Sequence, residues 1–377
     1  MVKKRRYLLL LLICVLGIGA WLFYRHQAGE FKWLIKPQYR TALNFHKGVA
    51  WVQEELGGPY NLINKQGDVM NTLHVRYIDP FIDQETGFLA FQNMGGGAGY
   101  INLSGDIVIS PDYTNTVHFI DGVACVQKGD FYGVIDKHGE IVLPFIYQYV
   151  SFVDSGMFAV QKDDKWGFVN AKGEMLIDFT FELVRGRPFS GVYAVALEKK
   201  WGLIDNTGQW IMPTSYDSIY VGPNYPTERE PSLIAVEKDG KVGYVDAKGN
   251  MVIDFQYKVL EREGVKILGN FSEGLAAVVL PSKDANGEDK LGVIDRTGKV
   301  LFELPGYSAR DYNEGYMPVY HRAKKRYGLV DRKGKMRFLP SGVEVPFPFG
   351  FSSDGVLQVV EKDSDGQRRH GYLEIHK

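Results

Sequence analysis

Two similar octapeptides, Trp166-Gly167-Phe168-Val169-Asn170-Ala171-Lys172-Gly173 and Trp201-Gly202-Leu203-Ile204-Asp205-Asn206-Thr207-Gly208, begin 35 residues apart in the chain. Related copies occupy residues 132–139, 242–249, 291–298 and 327–334, and weaker copies occupy 60–67, 98–105 and 370–373. The first glycines of the copies from Gly99 onward are separated by 34, 34, 35, 41, 49, 36 and 43 residues. A recurring spacing of this size is typical of a repeat architecture, and the longer steps indicate insertions.

Two further patterns accompany each copy. An aromatic residue, a turn and a Gly precede an alternating strand such as Val49-Ala50-Trp51-Val52, and an aliphatic strand such as Ile141-Val142-Leu143-Pro144 follows. Alternation places apolar side chains on one face of a pleated strand. Asp-x-x-Gly fits a tight turn, and a Gly after Trp or Tyr allows a ring or a neighbouring backbone to approach closely. Each unit is therefore predicted to contain three short strands and to be stabilised by its neighbours.

These residues resemble the WG or KWG repeat family of bacterial proteins. Lys165-Trp166-Gly167 and Lys200-Trp201-Gly202 carry the signature most fully, and the resemblance covers nearly everything after about residue 31. Other copies replace the Trp, and in the first copy Asn61 also replaces the glycine. The resemblance implies an all-β repeat fold and no defined reaction. The repeated positions are accordingly predicted to be structural, namely Trp166, Gly167, Trp201, Gly202, Asp205 and Gly208.

The order of elements at the two ends favours a closed, propeller-like ring. Nine alternating strands are predicted, starting near residues 45, 86, 119, 152, 189, 232, 271, 312 and 351. The third-strand type appears first, at 34–39, whereas the C-terminus stops after a second-type strand at 371–375. The N-terminal strand can therefore complete the last unit and remove two open edges. An open β-superhelix is the alternative, because the repeat lengths are unequal.

The N-terminal sequence predicts a membrane anchor. The basic tail 1–6 precedes an uncharged segment, 7–24, and a linker, 25–30, leads to the repeat domain, 31–377. Eighteen helical residues cover about 27 Å, which is enough to cross a bilayer. The basic tail is expected to stay in the cytoplasm, so the domain lies outside it, on a single-pass inner or plasma membrane protein. A cleaved signal peptide and, less favoured because Ile13 precedes Cys14, a lipoprotein are the alternatives.

Charge and cysteine content exclude several classes of protein. The first 25 residues hold five of the 44 Lys and Arg and none of the 45 Asp and Glu, so the remainder has 39 basic and 45 acidic residues and a net charge of −6. A mildly acidic domain is poorly suited to anionic lipid surfaces or to nucleic acid, and no nucleic acid is predicted as a partner. With Cys125 alone in the repeat domain, no internal disulfide can form.

No motif predicts a catalytic, metal or cofactor site. Gly95–Gly99 lacks the helix that a phosphate-binding loop requires, so a hairpin loop is expected. Asp363–Gly366 departs from a calcium loop at its sixth position, where Arg368 replaces the required Gly, so a polar turn is expected. The eight His residues lack paired metal spacing.

Two function classes remain. The favoured one is a non-catalytic interaction protein displayed outside the membrane, which binds a protein, a peptide or an envelope glycan. The alternative is a propeller-like hydrolase that acts on envelope glycans. Insertions in repeat arrays often lie on the binding face. The insertion 221–231 contains Tyr225 and Arg229, residue types common at binding hot spots, and is therefore a predicted partner-contact loop.

Overall fold

The computed structural model describes residues 31–375 except 84, 155–156, 190, 221–232, 263–264, 268, 284–286, 288, 347–350 and 353. Within these residues the chain is all β, with short antiparallel strands and turns and without a helix. Accordingly, no described helix has the length and apolar character to cross a bilayer. The basic tail 1–6, the anchor 7–24 and the linker 25–30 lie outside the described residues.

The strands fall into nine consecutive units within the described part of the chain. The chain opens with β1 (Phe31–Tyr39), and the first three units follow: β2 (Thr41–Ala42), β3 (Val49–Gln53), β4 (Tyr60–Asn64), β5 (Val69–Leu73), β6 (Tyr77–Ile82), β7 (Leu89–Gln92), β8 (Ala98–Ile101), β9 (Ile107–Tyr113), β10 (Asn115–Thr116), β11 (Val123–Lys128), β12 (Phe131–Asp136) and β13 (Ile141–Tyr147). The fourth to sixth units contain β14 (Tyr149–Asp154), β15 (Met157–Lys162), β16 (Lys165–Asn170), β17 (Met175–Phe181), β18 (Leu183–Phe189), β19 (Val192–Leu197), β20 (Lys200–Asp205), β21 (Trp210–Tyr216), β22 (Ser218–Tyr220), β23 (Ile234–Lys238), β24 (Lys241–Val245) and β25 (Met251–Lys258). The last three contain β26 (Leu260–Arg262), β27 (Val265–Ile267), β28 (Leu275–Lys283), β29 (Asp289–Asp295), β30 (Val300–Leu304), β31 (Tyr307–Ala309), β32 (Tyr316–His321), β33 (Arg326–Asp331), β34 (Met336–Phe338), β35 (Val356–Lys362) and β36 (Arg368–Ile375).

Most units form one sheet whose strands lie in chain order. Six sheets have four strands each: β2–β5, β6–β9, β10–β13, β14–β17, β18–β21 and β31–β34. The sixth and seventh units share a seven-stranded sheet, because Lys258 of β25 pairs with Val279 of β28. The hairpin β26–β27 lies between these two strands in the chain.

Among the described residues, seven of the nine units have a sheet of four strands rather than the three expected from sequence, and the seventh and ninth units have three. The extra strand precedes the alternating strand and pairs with it, as Thr116 of β10 pairs with Val126 of β11. It is short, only two residues in β2 and β10, so it has no room for the alternation that reveals a strand in sequence. The nine alternating strands and the strand types that follow them are otherwise confirmed.

The first and last strands of the chain belong to the same sheet. In the order β1-β36-β35, Phe31 pairs with Ile375 and Trp33 with Leu373, both antiparallel. The N-terminal strand therefore takes the last position of the ninth unit, as the order of elements predicted. The first unit begins only two residues after β1, at Thr41.

The glycine of the repeated Trp-Gly pair lies against a bulge in the following strand. A Cβ at Gly167 would lie 2.7 Å from the Ile177 carbonyl oxygen, and one at Gly202 would lie 2.7 Å from the Met212 carbonyl oxygen. Real side chains do not tolerate such contacts with backbone. The pairing register shifts at the same places. Close approach of a neighbouring backbone therefore explains this glycine.

The core lies between consecutive units and not within one. One cluster of buried residues joins Tyr100 of β8 to Phe119 and Val126 of the third unit. Another joins Tyr372 of β36 to Phe45 and Val52 of the first unit. Each unit buries its apolar faces against its neighbours, so stability depends on their contact.

Candidate functional site

A row of polar residues comes directly before the repeated buried aromatic residue in four units. The pairs are Asn44-Phe45, His118-Phe119, Asn270-Phe271 and Asp311-Tyr312. The aromatic rings are 1–2% exposed, whereas the polar residues are half-buried. We call Asn44, His118, Asn270 and Asp311 the polar row. Its members share one position in the repeat, after the first strand of the unit, and therefore lie at the same edge of their sheets.

Tyrosines of the preceding units hold the backbone of the polar row in place. The Tyr100 hydroxyl donates to the Val117 carbonyl at 2.6 Å, and the Tyr244 hydroxyl donates to the Gly269 carbonyl at 2.6 Å. The Tyr100 ring also packs edge-on against Phe119, with centroids 4.6 Å apart. His118 and Asn270 therefore lie between a fixed carbonyl and a fixed ring, so their side chains are presented from a rigid backbone.

Two amides of the row have unused hydrogen-bonding capacity. The side-chain carbonyl oxygens of Asn44 and Asn270 are buried, and neither has a hydrogen-bond partner among the described residues. An unsatisfied buried acceptor costs about 1–3 kcal/mol, so such groups usually meet water or a ligand. The Asn270 side chain also bonds to Asp311, which links the seventh unit to the eighth.

The Asp311 carboxyl has a shifted acidity. Loss of hydration raises its pKa from 3.8 to about 6, and the hydrogen bond from Asn270 opposes the rise. Desolvation also raises the pKa of Asp79, on β6 of the second unit, while the backbone N–H of Phe81 bonds to that carboxyl at 2.8 Å. Both groups are half-buried carboxyls near the first strand of a unit.

Two guanidinium groups link consecutive units, and one of them does so between the first strands of those units. Arg185 of β18 donates to Ser218 Oγ at 2.8 Å and to the Ile219 carbonyl at 3.3 Å, both on β22. Its guanidinium carbon lies 4.4 Å from the centroid of the Trp201 ring, a cation–π contact. Burial lowers the pKa of Arg185. Likewise, Arg310 donates to the Pro346 carbonyl at 2.8 Å. These contacts fix the edge on which the polar row lies.

The family follows from the repeats themselves. The family described as "WG containing repeat" matches residues 29–55, 99–130, 132–166, 166–201, 201–241 and 243–280. The chain belongs to the WG-repeat family. The matched repeats include Trp166-Gly167 and Trp201-Gly202, the residues on which the resemblance rests. No curated protein matches the chain.

Solved structures resemble this WG-repeat chain in fold. A crystal structure of the eukaryotic initiation factor is 10% identical, with a TM-score of 0.56, over 81% of this chain and 87% of that one. The dihydro-heme d1 dehydrogenase NirN is 13% identical, with a TM-score of 0.41, over 89% and 76% of the two chains. A streptogramin B lyase is 11% identical, with a TM-score of 0.32, over 92% and 97%. The WG-repeat chain thus has a repeat β-fold that resembles propeller-like proteins.

The structure gives each predicted repeat residue a location. Trp201 is buried, at 6% exposure, whereas Trp166 is half-buried and lies 6.1 Å from the Tyr149 ring. Asp205 accepts the backbone N–H groups of Thr207 at 2.8 Å and Gln209 at 3.0 Å, and the Thr207 hydroxyl helps to lower its pKa. Gly208 closes the same turn at φ +82°. The predicted contact residues Tyr225 and Arg229 lie outside the described residues.

Sequence analysis of the WG repeats missed the polar row. The aromatic residue was recognised as part of the unit, but the residue before it was not compared between units. Aligning the units on Phe45, Phe119, Phe271 and Tyr312 reveals it, because an Asn, His or Asp precedes each ring. Among the described residues, no group of three or more His, Cys, Asp or Glu is arranged to hold a metal ion.

Proposed function

We propose that this chain is a membrane-anchored, extracytoplasmic interaction protein whose nine WG units form a closed, propeller-like ring. The ring binds a protein, a peptide or an envelope glycan without chemical conversion. An envelope glycan is the favoured ligand, since the neutral amides of Asn44 and Asn270 suit hydroxyl groups. The anchor is the segment 7–24, which leaves the repeat domain outside the cytoplasm.

The contacts between the ninth and first units support closure. Tyr372 donates to the Leu43 carbonyl at 2.6 Å, the same contact that Tyr100 and Tyr244 make with the units after theirs. Asp354 accepts the Gly48 N–H at 2.7 Å, as Glu273 accepts the Gly315 N–H at 3.0 Å. A ring in which the ninth unit meets the first explains why these contacts repeat across the two ends of the chain.

The observation that carries the binding proposal is the pair of unsatisfied amide oxygens at Asn44 and Asn270. In a ring, the last strands lie outside, since they carry prolines such as Pro144 and Pro213 and exposed apolar residues. The first strands then lie nearest the axis, and the polar row surrounds the entrance to the centre. Acceptors held on a rigid backbone suit a ligand that donates O–H or N–H groups.

The insertion 221–231 supplies a second proposed contact, through Tyr225 and Arg229. It follows directly after β22, whose backbone Arg185 holds from the preceding unit. We therefore propose that the loop contacts the same ligand as the polar row. Three prolines in the insertion limit the entropy lost on binding.

The test uses the full chain in lipid nanodiscs and a β-1,4-linked N-acetylglucosamine tetramer as the probe, with binding followed by calorimetry. The double variant Asn44→Leu, Asn270→Leu is expected to weaken binding at least tenfold, whereas Asn206→Leu, in an exposed turn, is the matched control. Replacing 222–231 with a short Gly-Ser turn is expected to weaken binding and preserve folding. Equal affinity of the double variant and the control would reject the polar row as the site.

A hydrolase is the second candidate, favoured by the raised pKa of Asp311. A carboxyl that stays protonated near pH 6 suits a general acid in glycoside hydrolysis, which needs a second carboxylate within about 5–10 Å. Among the described residues the carboxyl pKa is also raised at Asp79, but the ninth and first units separate it from Asp311 in the ring, which leaves binding as the favoured function. Release of shorter oligosaccharides by the wild type, abolished in Asp311→Asn, would favour this candidate over binding alone.

A further inference from the structure

Every unit has two residues near the start of its last strand that we call the rim pair, and both are apolar except in the eighth unit, where the pair is the half-buried Met336 and Arg337. In the first seven units the first member is apolar and 39–63% exposed: Val69, Ile107, Ile141, Met175, Trp210, Met251 and Val300. The second member is Met70, Val108, Val142, Leu176, Ile211, Val252 or Leu301, five of them exposed as well. Consecutive residues of a strand point to opposite faces, and both faces of a unit pack against its neighbours, so it is the exposure of these pairs that is unusual. Repetition at one position builds an extended apolar rim, and such surfaces mark contact sites.

The ninth unit has a rim pair too, and it lies where the chain enters the structure. Trp33 pairs with Leu373, two residues after Gly371, just as Ile141 pairs with Ile135, two residues after Gly133. Trp33 and Leu34 are therefore the rim pair of this unit, and both are half-buried. Seven residues, 25–31, separate the proposed anchor from Lys32. A fully extended segment of seven residues covers about 25 Å. This part of the rim cannot lie far from the bilayer if the anchor spans it.

The residue just before each rim pair, the flanking residue, changes sign along the chain. From the first unit to the ninth the flanking residues are Asp68, Asp106, Glu140, Glu174, Gln209, Asn250, Lys299, Lys335 and Lys32. All nine are exposed. The four acidic ones belong to the first four units, and the three lysines belong to the seventh, eighth and ninth. We call the rim of these last three units the lysine arc.

We propose that the lysine arc is the surface that lies against an anionic lipid bilayer. The proposal rests on the proposed function, because the ring makes the three units neighbours and the anchor brings them to the membrane. The three exposed lysines suit anionic headgroups, and the exposed Val300 and Leu301 suit the boundary with the acyl chains. The acidic flanking residues of the first four units keep the opposite arc away. The ring therefore tilts so that the lysine arc faces the bilayer. This local positive charge acts even though the whole domain is mildly acidic.

The test places an environment-sensitive nitrobenzoxadiazole label on either arc of the full chain. Leu301→Cys reports on the lysine arc, and Leu176→Cys is the matched position on the acidic arc. Both are made with Cys14→Ser and Cys125→Ala, and the protein is reconstituted in phosphatidylcholine vesicles with or without phosphatidylglycerol. Doxyl groups on the lipid chains are expected to quench the label at 301, and not at 176, and to do so more strongly with phosphatidylglycerol.

Charge variants test whether the three lysines cause the docking. Changing Lys32, Lys299 and Lys335 to Glu is expected to lower the docked-to-undocked ratio by about a hundredfold, since each lysine near an anionic surface contributes about a fivefold factor. A matched set, Lys137→Glu, Lys172→Glu and Lys248→Glu, changes exposed turn residues outside the arc and is expected to leave quenching at 301 unchanged. Melting curves of both sets of variants check that each one folds.

Several outcomes overturn the proposal. Equal quenching of the label at 301 and at 176 would overturn it. Quenching at 301 that is unchanged when Lys32, Lys299 and Lys335 are all replaced by Glu would also overturn it. A shift at 301 that follows protein concentration in the absence of lipid would assign the arc to a second copy of the chain. Failure of the anchor is a separate result. In that case the protein leaves vesicles in an alkaline carbonate wash, and docking is then measured by adding the released protein to fresh phosphatidylglycerol vesicles.

Discussion

Tyr372 donates its hydroxyl to the Leu43 carbonyl at 2.6 Å across the two ends of the chain, 329 residues apart. The Tyr372 ring also packs edge-on against Phe45, with centroids 4.7 Å apart. Tyr244 makes the same pair of contacts with Gly269 and Phe271, which follow it by only 25 and 27 residues. The junction between the last and first units therefore has the same chemistry as a junction between consecutive units.

Removing the Tyr372 hydroxyl is expected to destabilise the fold. Tyr372→Phe leaves the buried Leu43 carbonyl without this donor, which costs about 1–3 kcal/mol. Tyr244→Phe is expected to cost a similar amount, and Tyr320→Phe, at a half-buried position, is the control. Urea denaturation followed by tryptophan fluorescence measures all three. A loss of stability in Tyr244→Phe without one in Tyr372→Phe would indicate that the ends are not joined in solution.

The glycine of the last repeat is expected to be irreplaceable. A Cβ at Gly371 would lie 2.8 Å from the Ile35 carbonyl oxygen and 2.6 Å from Pro37 N, both on β1. Gly371→Ala must displace β1 and is expected to cost about 2–4 kcal/mol. Gly95→Ala is the control, because its nearest neighbour is the flexible Asn93 side chain at 3.4 Å. Equal melting temperatures for the two variants would contradict the close approach of β1.

Trp201 is expected to be a structural residue. It is 6% exposed, and Arg185 covers its ring. Trp201→Ala is therefore expected to cost about 3–5 kcal/mol, as for other large core truncations. Trp210→Ala, at 46% exposure, should change stability by less than about 1 kcal/mol. Loss of glycan binding with an unchanged melting temperature in Trp201→Ala would reveal a contact residue instead.

Asp311 is expected to make stability fall as pH rises. Its pKa is about 6 in the folded chain and 3.8 for an unperturbed carboxyl, so the folded state holds the proton more tightly. The stabilisation is complete below about pH 4 and is lost as pH rises through 6. Asp311→Asn should therefore gain about 1–3 kcal/mol relative to wild type between pH 4 and pH 7. Free energies of unfolding measured at pH 4 and pH 7 give this gain. Asp130→Asn, at an exposed position, is the control and should show no such gain.

Much of this architecture could be predicted from the repeated residues. The Trp-Gly pairs, the Asp-x-x-Gly turns and the alternating strands carry strong local signals, because each needs particular residues at fixed spacing. Strands such as Thr41–Ala42 carry no such signal, since two residues cannot display a period. Their pairing is set by the alternating strand beside them, so the fourth strand, where a unit has one, could not be predicted from the sequence.

The candidate site was less accessible to sequence analysis. Asn44 and Asp311 are chemically ordinary residues, and what distinguishes them is burial beside a fixed aromatic ring. The raised pKa of Asp311 also depends on the hydration that this carboxyl loses in the folded chain. The rim pairs, by contrast, could be recognised in the sequence as mostly apolar residues. Their exposure could not be predicted, because an apolar run usually indicates a buried strand.

A cross-strand disulfide tests the closed ring most directly. Lys32 of β1 and Glu374 of β36 are antiparallel partners, and paired positions in such strands bring Cα atoms to about 4.5–5.5 Å, within disulfide range. In the Cys14→Ser, Cys125→Ala background, Lys32→Cys with Glu374→Cys should oxidise within the monomer and change its mobility on a non-reducing gel. Lys32→Cys with Glu174→Cys, in the fourth unit, should not. Absence of the 32–374 disulfide in folded protein would contradict the closed ring and favour an open superhelix.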